Sequence, residues 1–341
     1  VVIIKVLILG GTGVISREIT KIMLSESHEI THFNRGSRKT EFSKDVRTIC
    51  GDRRDYEGFY ELLKNERFDV VIDMLAFTEE DARSTVETFQ GRTGQIMVCS
   101  TIGAYKRPYK SVPVLEDEED FWDDPVFPYG YGKGAVERYL RKQMEAGVPV
   151  TVMRPSLTYG WGAQNVGIFR QNYGIIERIK NKKPLIMFGD GAQSFTFSFV
   201  KDVAKGFAGA AGNPKTFCNS YHVVGDGYHI WDDLYLTFGK VIGVEPIIYH
   251  MPSELLNKAA PNLCGHILYE KAYNGIFDTR KIKTDVPQFK PGVGLLEGIS
   301  EVAEYFEKEA KWVDGKKEAL EDALCGLYEE IYGKISVLYA L

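Results

Sequence analysis

The stretch Val6-Leu-Ile-Leu-Gly-Gly-Thr-Gly-Val-Ile-Ser16, continuing through Arg17 to Ser25, decides how the rest of the chain is read. Val6 to Leu9 form a short apolar run closed by a glycine cluster, the pattern of a strand buried on both faces of a parallel sheet. Beyond it Ile15, Ile19, Ile22 and Met23 recur at helical spacing, so the stretch reads as strand, tight turn and helix. Gly10 and Gly13 stand where such a turn needs unusual backbone angles and where the backbone must come close to a pyrophosphate. Thr12, Val14 and Ile15 complete the turn and open the helix, whose first N–H groups and dipole favour an anion. Ser16 occupies the third position of the motif, usually Gly or Ala, and is still small enough for the helix to pack on its strand.

Working outward, Glu29–Asn34 reads as a second strand, followed by the basic loop Arg35-Gly-Ser-Arg-Lys39. An acidic residue here would hold both ribose hydroxyls of a dinucleotide. Asn34 followed by Arg35, Arg38 and Lys39 instead suits a 2′-phosphate, which favours NADP over NAD. Val46–Cys50 is a third strand, running into Gly51-Asp-Arg-Arg-Asp55; Asp52, beside Arg53, is placed to accept from an adenine amino group, and Asp55 caps a helix over Tyr56–Leu63. A fourth strand, Phe68–Asp73, leads to Met74, Leu75, Ala76 and Phe77, which would line the cofactor. A helix from Glu79 to Phe89, a fifth strand over Gln95–Thr101 and a sixth over Val148–Arg154 follow. Beyond them a helix is expected around Val166–Lys180, and two closing helices over Leu295–Glu309 and Lys316–Tyr332.

This alternation places the strands in parallel with their C-terminal ends opening on one crevice. The expected fold is α/β: a Rossmann-type, doubly wound parallel sheet with a smaller, interleaved C-terminal substrate lobe. Residues 1–155 form the dinucleotide-binding domain, and residues 156–341 mainly the substrate-binding lobe and closing helices, with some returns to the first domain. The 341-residue length supports such a division.

Apolar residues at 44% and charged residues at 26% are globular values, and no apolar run is long enough to cross a bilayer. Cys50, Cys99, Cys218, Cys264 and Cys325 lack paired or metal-type spacing and read as reduced, buried thiols; with no leader-like segment at the start, a cytoplasmic protein is expected. The six histidines form no ligand spacing, so no metal is expected. A net charge of −5 gives no basic footprint for nucleic acid, and Glu116–Asp124 reads as an acidic surface loop.

The chemistry is concentrated in Tyr129-Gly-Tyr-Gly-Lys133, which puts a phenol and an ammonium four positions apart on one face of a helix. A cation near a tyrosine favours the phenolate and brings an ordinary pKa near 10 toward neutrality. Thr101, at the end of the fifth strand, could hold a substrate oxygen while Tyr129 moves its proton and a nicotinamide exchanges hydride.

In these pieces, and in Gly51-Asp52, Ser100-Thr-Ile-Gly-Ala-Tyr105, Arg154-Pro155 and Phe199-Val-Lys-Asp-Val-Ala204, the sequence resembles the extended short-chain dehydrogenase/reductases, the NAD-dependent epimerase/dehydratase family. The resemblance covers most of the chain. It implies that Thr101, rather than Ser100, is the catalytic hydroxyl and that Lys133 also binds the nicotinamide ribose. It further implies a homodimer formed through a bundle of helices, one of them carrying Tyr129, and a small-molecule substrate, a secondary alcohol or ketone of sugar type. One departure concerns that substrate: sugar-nucleotide members carry a diphosphate-gripping Arg where this chain has Phe195, leaving Arg170, Lys271 or Arg280 as substitutes. The alternative is a catalytically weak nucleotide-sensing or RNA-binding member of the same fold, since the chain also resembles atypical members that bind stem-loop RNA in chloroplasts.

Overall fold

Strand β1 (Lys5–Leu9) sends Val6 and Ile8 to one face and Leu7 and Leu9 to the other, and all four are fully buried. In this computed structural model, which describes residues 2–37, 41–163, 166–170 and 172–338, each face therefore meets its own apolar layer. Val6 and Ile8 join Ile19 and Met23 of helix α1 (Val14–Ser25) and Val203 and Phe207 of the helix Val200–Ala210. Leu7 and Leu9 join residues of α2 (Tyr56–Leu63), α3 (Glu79–Phe89) and α4 (Pro128–Glu145), including Phe59, Val86 and Val136. Each such side chain contributes about 1.5–3 kcal/mol relative to exposure, which is why the strand is apolar at every position after the exposed Lys5.

The sheet is seven-stranded. Its order runs from Asn219–His222 through β6 (Val150–Arg154), β5 (Gln95–Cys99) and β4 (Val70–Asp73) to β1, then β2 (Glu29–Asn34) and β3 (Arg47–Cys50). All pairs are parallel, with Leu7 opposite Thr31 on one side and Val71 on the other. The order reverses between β1 and β4, and a doubly wound sheet binds its ligand beyond the strand ends at such a point.

By its internal contacts the chain divides into two units: Val1–Thr158 with Ser198–Asp226 and Phe277–Gly292, and Tyr159–Phe197 with Gly227–Ile276 and Val293–Leu341. The second contains a parallel strand pair, Leu185–Phe188 with Ile248–Met251, and an antiparallel pair, Ser194–Phe195 with His229–Ile230. Its aromatic centre is Trp231, fully buried, with ring centroids of Phe195, Phe197 and Phe188 at 4.9, 5.0 and 5.2 Å. Among the described residues no helix is long and apolar enough to cross a membrane.

Three local expectations are corrected. The helix expected over 166–180 is confined to Gly174–Lys180, because Arg170 adopts a φ of +53°, which no helix interior allows. The acidic stretch 116–124 is only partly surface: Phe121 and Trp122 are buried, the Glu119 carboxylate accepts from the Lys110 N–H at 3.0 Å, and Glu116 accepts from the His222 N–H at 3.2 Å. Cys50, on the edge strand β3, and Cys218, at a φ of +54°, are exposed, while Cys99, Cys264 and Cys325 are buried thiols as expected. Of the apolar C-terminus, Val337 and Leu338 are exposed, and 339–341 fall outside the described residues.

Candidate active site

The turn between β1 and α1 is built on Gly10, whose φ of +85° is open to glycine and strained for other residues. The Gly10 N–H donates to the Phe33 carbonyl at 2.9 Å, and the Gly13 N–H to the Gly10 carbonyl at 3.2 Å. Ser16 shows why it can stand in for glycine here: it is buried, and its hydroxyl donates to the Gly10 carbonyl at 2.8 Å, bracing the turn from the helix side. Gly11 is fixed by close approach instead, since a Cβ there would lie 2.2 Å from Cγ of His32. The N-cap of α1, Gly13, provides no side-chain acceptor, and the first turn carries no acid, so no side chain caps its first N–H groups, the arrangement that suits an anionic ligand.

A cavity of about 660 Å³ opens from this turn, bordered by Gly10, Thr12 and Gly13 on one side and by Asn34, Arg35 and Asp52 beyond the ends of β2 and β3. Arg35 is exposed at its rim; Arg38 and Lys39, the rest of the expected basic loop, lie outside the described residues. Asp52 accepts from the Arg54 N–H at 3.0 Å. Leu75 and Phe77 also line the cavity, as do Tyr56 and Thr78 from the starts of α2 and α3. Tyr56 was not legible as a lining residue: in sequence it is the first residue of a helix, and its contact with the Asp81 carboxylate, 3.1 Å from its hydroxyl, comes from 25 residues along the chain.

Other expected contacts point elsewhere. Arg53 borders the cavity, but its guanidinium turns inward: it donates to Thr85 Oγ1 at 2.8 Å, to Ser84 Oγ at 3.2 Å and to the Asp81 carbonyl, lies 3.5 Å from the Asp73 carboxylate and packs 4.4 Å from the Phe59 ring centroid. Its guanidinium is thus committed to protein groups, while the residue itself still borders the cavity. Val14, Ile15, Met74 and Ala76 do not line this cavity; Ile15 and Met74 pack against the core.

On α4 the two ends of the Tyr129–Lys133 pair lie in opposite environments. Tyr129 is 42% exposed, whereas Lys133 is 3% exposed. The Lys133 ammonium donates to the carbonyls of Ala76 and Cys99 at 2.7 and 2.8 Å and lies 4.6 Å from the Phe77 ring centroid. Two of its three N–H bonds are thus used by the ends of β4 and β5, leaving one for a ligand. Burial pushes Lys133 below the usual lysine range, opposed by Cys99, Asp73 and Glu137. Thr101 is buried, and its Oγ1 accepts from the Gly103 N–H at 3.1 Å, which still leaves its own hydroxyl proton to donate; the neighbouring Ser100 hydroxyl is buried with no partner among the described residues. No group of three or more His, Cys, Asp or Glu among the described residues could hold a metal ion.

Glycine turn, uncapped helix end and cavity beyond the switch point together define a dinucleotide-binding α/β protein, and these residues fit an NAD-type cofactor. The sequence profile of the NAD dependent epimerase/dehydratase family matches residues 6–90 and 82–224, and the chain belongs to that family. Among similar proteins is the chloroplast stem-loop binding protein of 41 kDa b of Arabidopsis thaliana, 29% identical over 322 residues, covering 87% of this chain and 78% of the relative. Another is the 2′-dehydrokanamycin reductase of Streptomyces kanamyceticus, 23% identical over 241 residues, covering 70% of this chain and 67% of the relative. UDP-glucuronic acid 4-epimerase from Bacillus cereus, solved in complex with NAD, shares the fold with a TM-score of 0.70 at 20% identity, over 90% of this chain and 98% of that one.

Proposed function

We propose that the protein uses NAD(P) to oxidise or reduce a secondary alcohol or its ketone on a sugar or sugar-nucleotide substrate, alone or as one half of an epimerisation or dehydration. The observation that carries this reading is the placement of Lys133, an otherwise costly buried ammonium fixed by the Ala76 and Cys99 carbonyls one helical turn from a solvent-accessible Tyr129. When bound, the nicotinamide supplies the hydride acceptor or donor. Tyr129 then moves the hydroxyl proton, Lys133 stabilises its phenolate, and Thr101 donates to the substrate oxygen. Arg35 at the cavity rim supports NADP over NAD, and a cytoplasmic homodimer is part of the same reading.

Freshly purified protein is denatured, any released nucleotide is identified by chromatography, and stripped protein is titrated with NAD and NADP. Stoichiometric retained nucleotide supports an enzyme that recycles its cofactor; reversible NADP binding supports a reductase. Binding of neither dinucleotide would overturn the proposal, and light scattering at the mass of one chain would remove the dimer.

A second reading, binding of stem-loop RNA, is favoured by the Arabidopsis relative and by a groove on α3 and α4 lined by Arg83, Arg138, Arg141 and Lys142 together with Glu79, which pairs with Arg83, and Glu145. Affinity for a stem-loop that falls steeply with salt would support it.

A further inference from the structure

The helix Gly315–Ile335 is fastened to the second unit by its first half, and its second half emerges into solvent. Arg178, 1% exposed, donates to Glu318 and Asp322 at 2.9 and 2.8 Å and lies 3.6 Å from Glu321. The buried Glu321 carboxylate in turn accepts from the Ile186 N–H at 2.9 Å. Tyr328 continues the attachment, stacked on Tyr249 with ring centroids 4.4 Å apart, and Glu329 accepts from the Tyr249 hydroxyl at 2.9 Å. Apart from Tyr328, every residue from Gly326 to Leu338 is exposed. Within that stretch Leu327, Ile331 and Ile335 recur at helical spacing and Leu338 extends the stripe past the helix end; all four are 46–60% exposed. Glu330 and Lys334, paired along the same helix, border it. Single exposed apolar residues are ordinary, whereas a continuous stripe on a free helix marks an interaction surface.

We propose that this stripe is the contact between two copies of the chain, packed antiparallel about a two-fold near Tyr332. In that register Leu327 of one copy meets Leu338 of the other, Ile331 packs on the Lys334 stem, and each Lys334 ammonium reaches Glu330 of the opposite copy. The charge pattern is thus complementary to itself when reversed, which singles out a second copy as the occupant. A lipid surface does not fit: Glu329 and Glu330 against Lys334 alone leave the free half net negative, whereas anionic membranes draw basic helices. A bundle on the outer face of α4, which the family resemblance implies, fits less well. There Arg83, Arg138, Arg141 and Lys142 outnumber Glu79 and Glu145, and a two-fold would set that surplus against itself. The inference goes beyond the proposed chemistry and rests on that reading only in taking the protein to be a homodimer.

Sedimentation velocity of the full chain at concentrations up to about 100 μM measures the contact. The wild type should form a dimer, and Ile331→Glu should be a monomer still folded by its circular dichroism, because the side chain it replaces is already exposed. Lys334→Glu and Glu330→Lys should each dissociate about ten-fold more readily than the wild type. Mixed in equal amounts, these two variants should recover the dimer, since the pairs between copies are restored while the pair within each helix stays broken. Lys142→Glu on α4 should leave the dimer intact. A wild type that stays monomeric, a dimer that survives Ile331→Glu, or a mixture that associates no better than its components would overturn the proposal. Dinucleotide titration of the same samples separates the two readings: binding by a monomeric wild type removes the contact and leaves the proposed chemistry standing.

Discussion

Arg154 Nε and Nη2 donate to the two carboxylate oxygens of Glu137 at 2.7 and 2.9 Å, and both side chains are 1% exposed. The pair joins the end of β6 to α4, one helical turn beyond Lys133. The remaining Arg154 nitrogen donates to the Tyr105 hydroxyl at 2.8 Å and to the Glu116 carbonyl at 2.9 Å, and Tyr105 meets His222 Nε2 at 2.7 Å.

Breaking this pair from one side leaves a buried guanidinium without its counter-charge. Glu137→Leu should therefore destabilise the protein by about 3–5 kcal/mol in urea denaturation, and adding Arg154→Met should recover a substantial part of that loss. Equal stability of the single and double variants would contradict the assignment.

Tyr129 and Lys133 should separate stability from activity. Tyr129→Phe removes a hydroxyl from a side chain that is 42% exposed, so unfolding should shift by less than about 0.5 kcal/mol while turnover falls by about a hundred-fold or more. Lys133→Met should cost turnover and also on the order of 2–4 kcal/mol of stability, because the Ala76 and Cys99 carbonyls lose their donor. Thermal melts beside initial rates on any accepted substrate make the comparison.

Arg35→Ala should lower the preference for NADP over NAD by about ten-fold while leaving NAD affinity nearly unchanged. Paired titrations of stripped protein measure the ratio, and an unchanged ratio would transfer the 2′-phosphate contact to other residues.

His32 lies beneath the glycine turn with Nε2 2.9 Å from Thr20 Oγ1, and burial lowers it to about 4. The unfolded chain takes up this proton near 6.5 and the folded one does not until about 4, so the unfolded state binds more protons between those values. Stability should be flat in this respect above pH 6.5 and fall as pH drops toward 4, by roughly 3 kcal/mol at the limit. His222, lowered to about 3 by burial and then by Arg154, acts in the same direction. Urea titrations between pH 7 and 4 follow the loss, and a His32 ring resonance titrating near 6.5 would refute its cause.

Much of this was legible in the chain because it depends on neighbours in sequence. The first strand and its turn, the helices over Tyr56–Leu63 and Glu79–Phe89, the Asp55 cap accepting from the Gly58 N–H, and the placement of Tyr129 and Lys133 four positions apart on one helix all follow from local spacing. What was not legible depends on partners far along the chain. Nothing near Arg53 announces that residues 81 to 85 will take its guanidinium, and nothing near Glu119 announces the Lys110 amide. Lys133 was readable as a residue of the Tyr129 helix, but its two carbonyl anchors stand 57 and 34 residues away. Trp231 is the N-cap of the helix Asp232–Ile242, and its place at the centre of an aromatic cluster came only with the fold.

Helix α4 carries Tyr129, Lys133 and Glu137 at successive turns, the last two fastened to the edges of three adjacent strands. The helix is thereby indexed to the sheet like a ruler pinned at two marks, and the phenol inherits its position from the buried strand ends. Loops elsewhere in the chain can then be exchanged without moving the Tyr129 phenol.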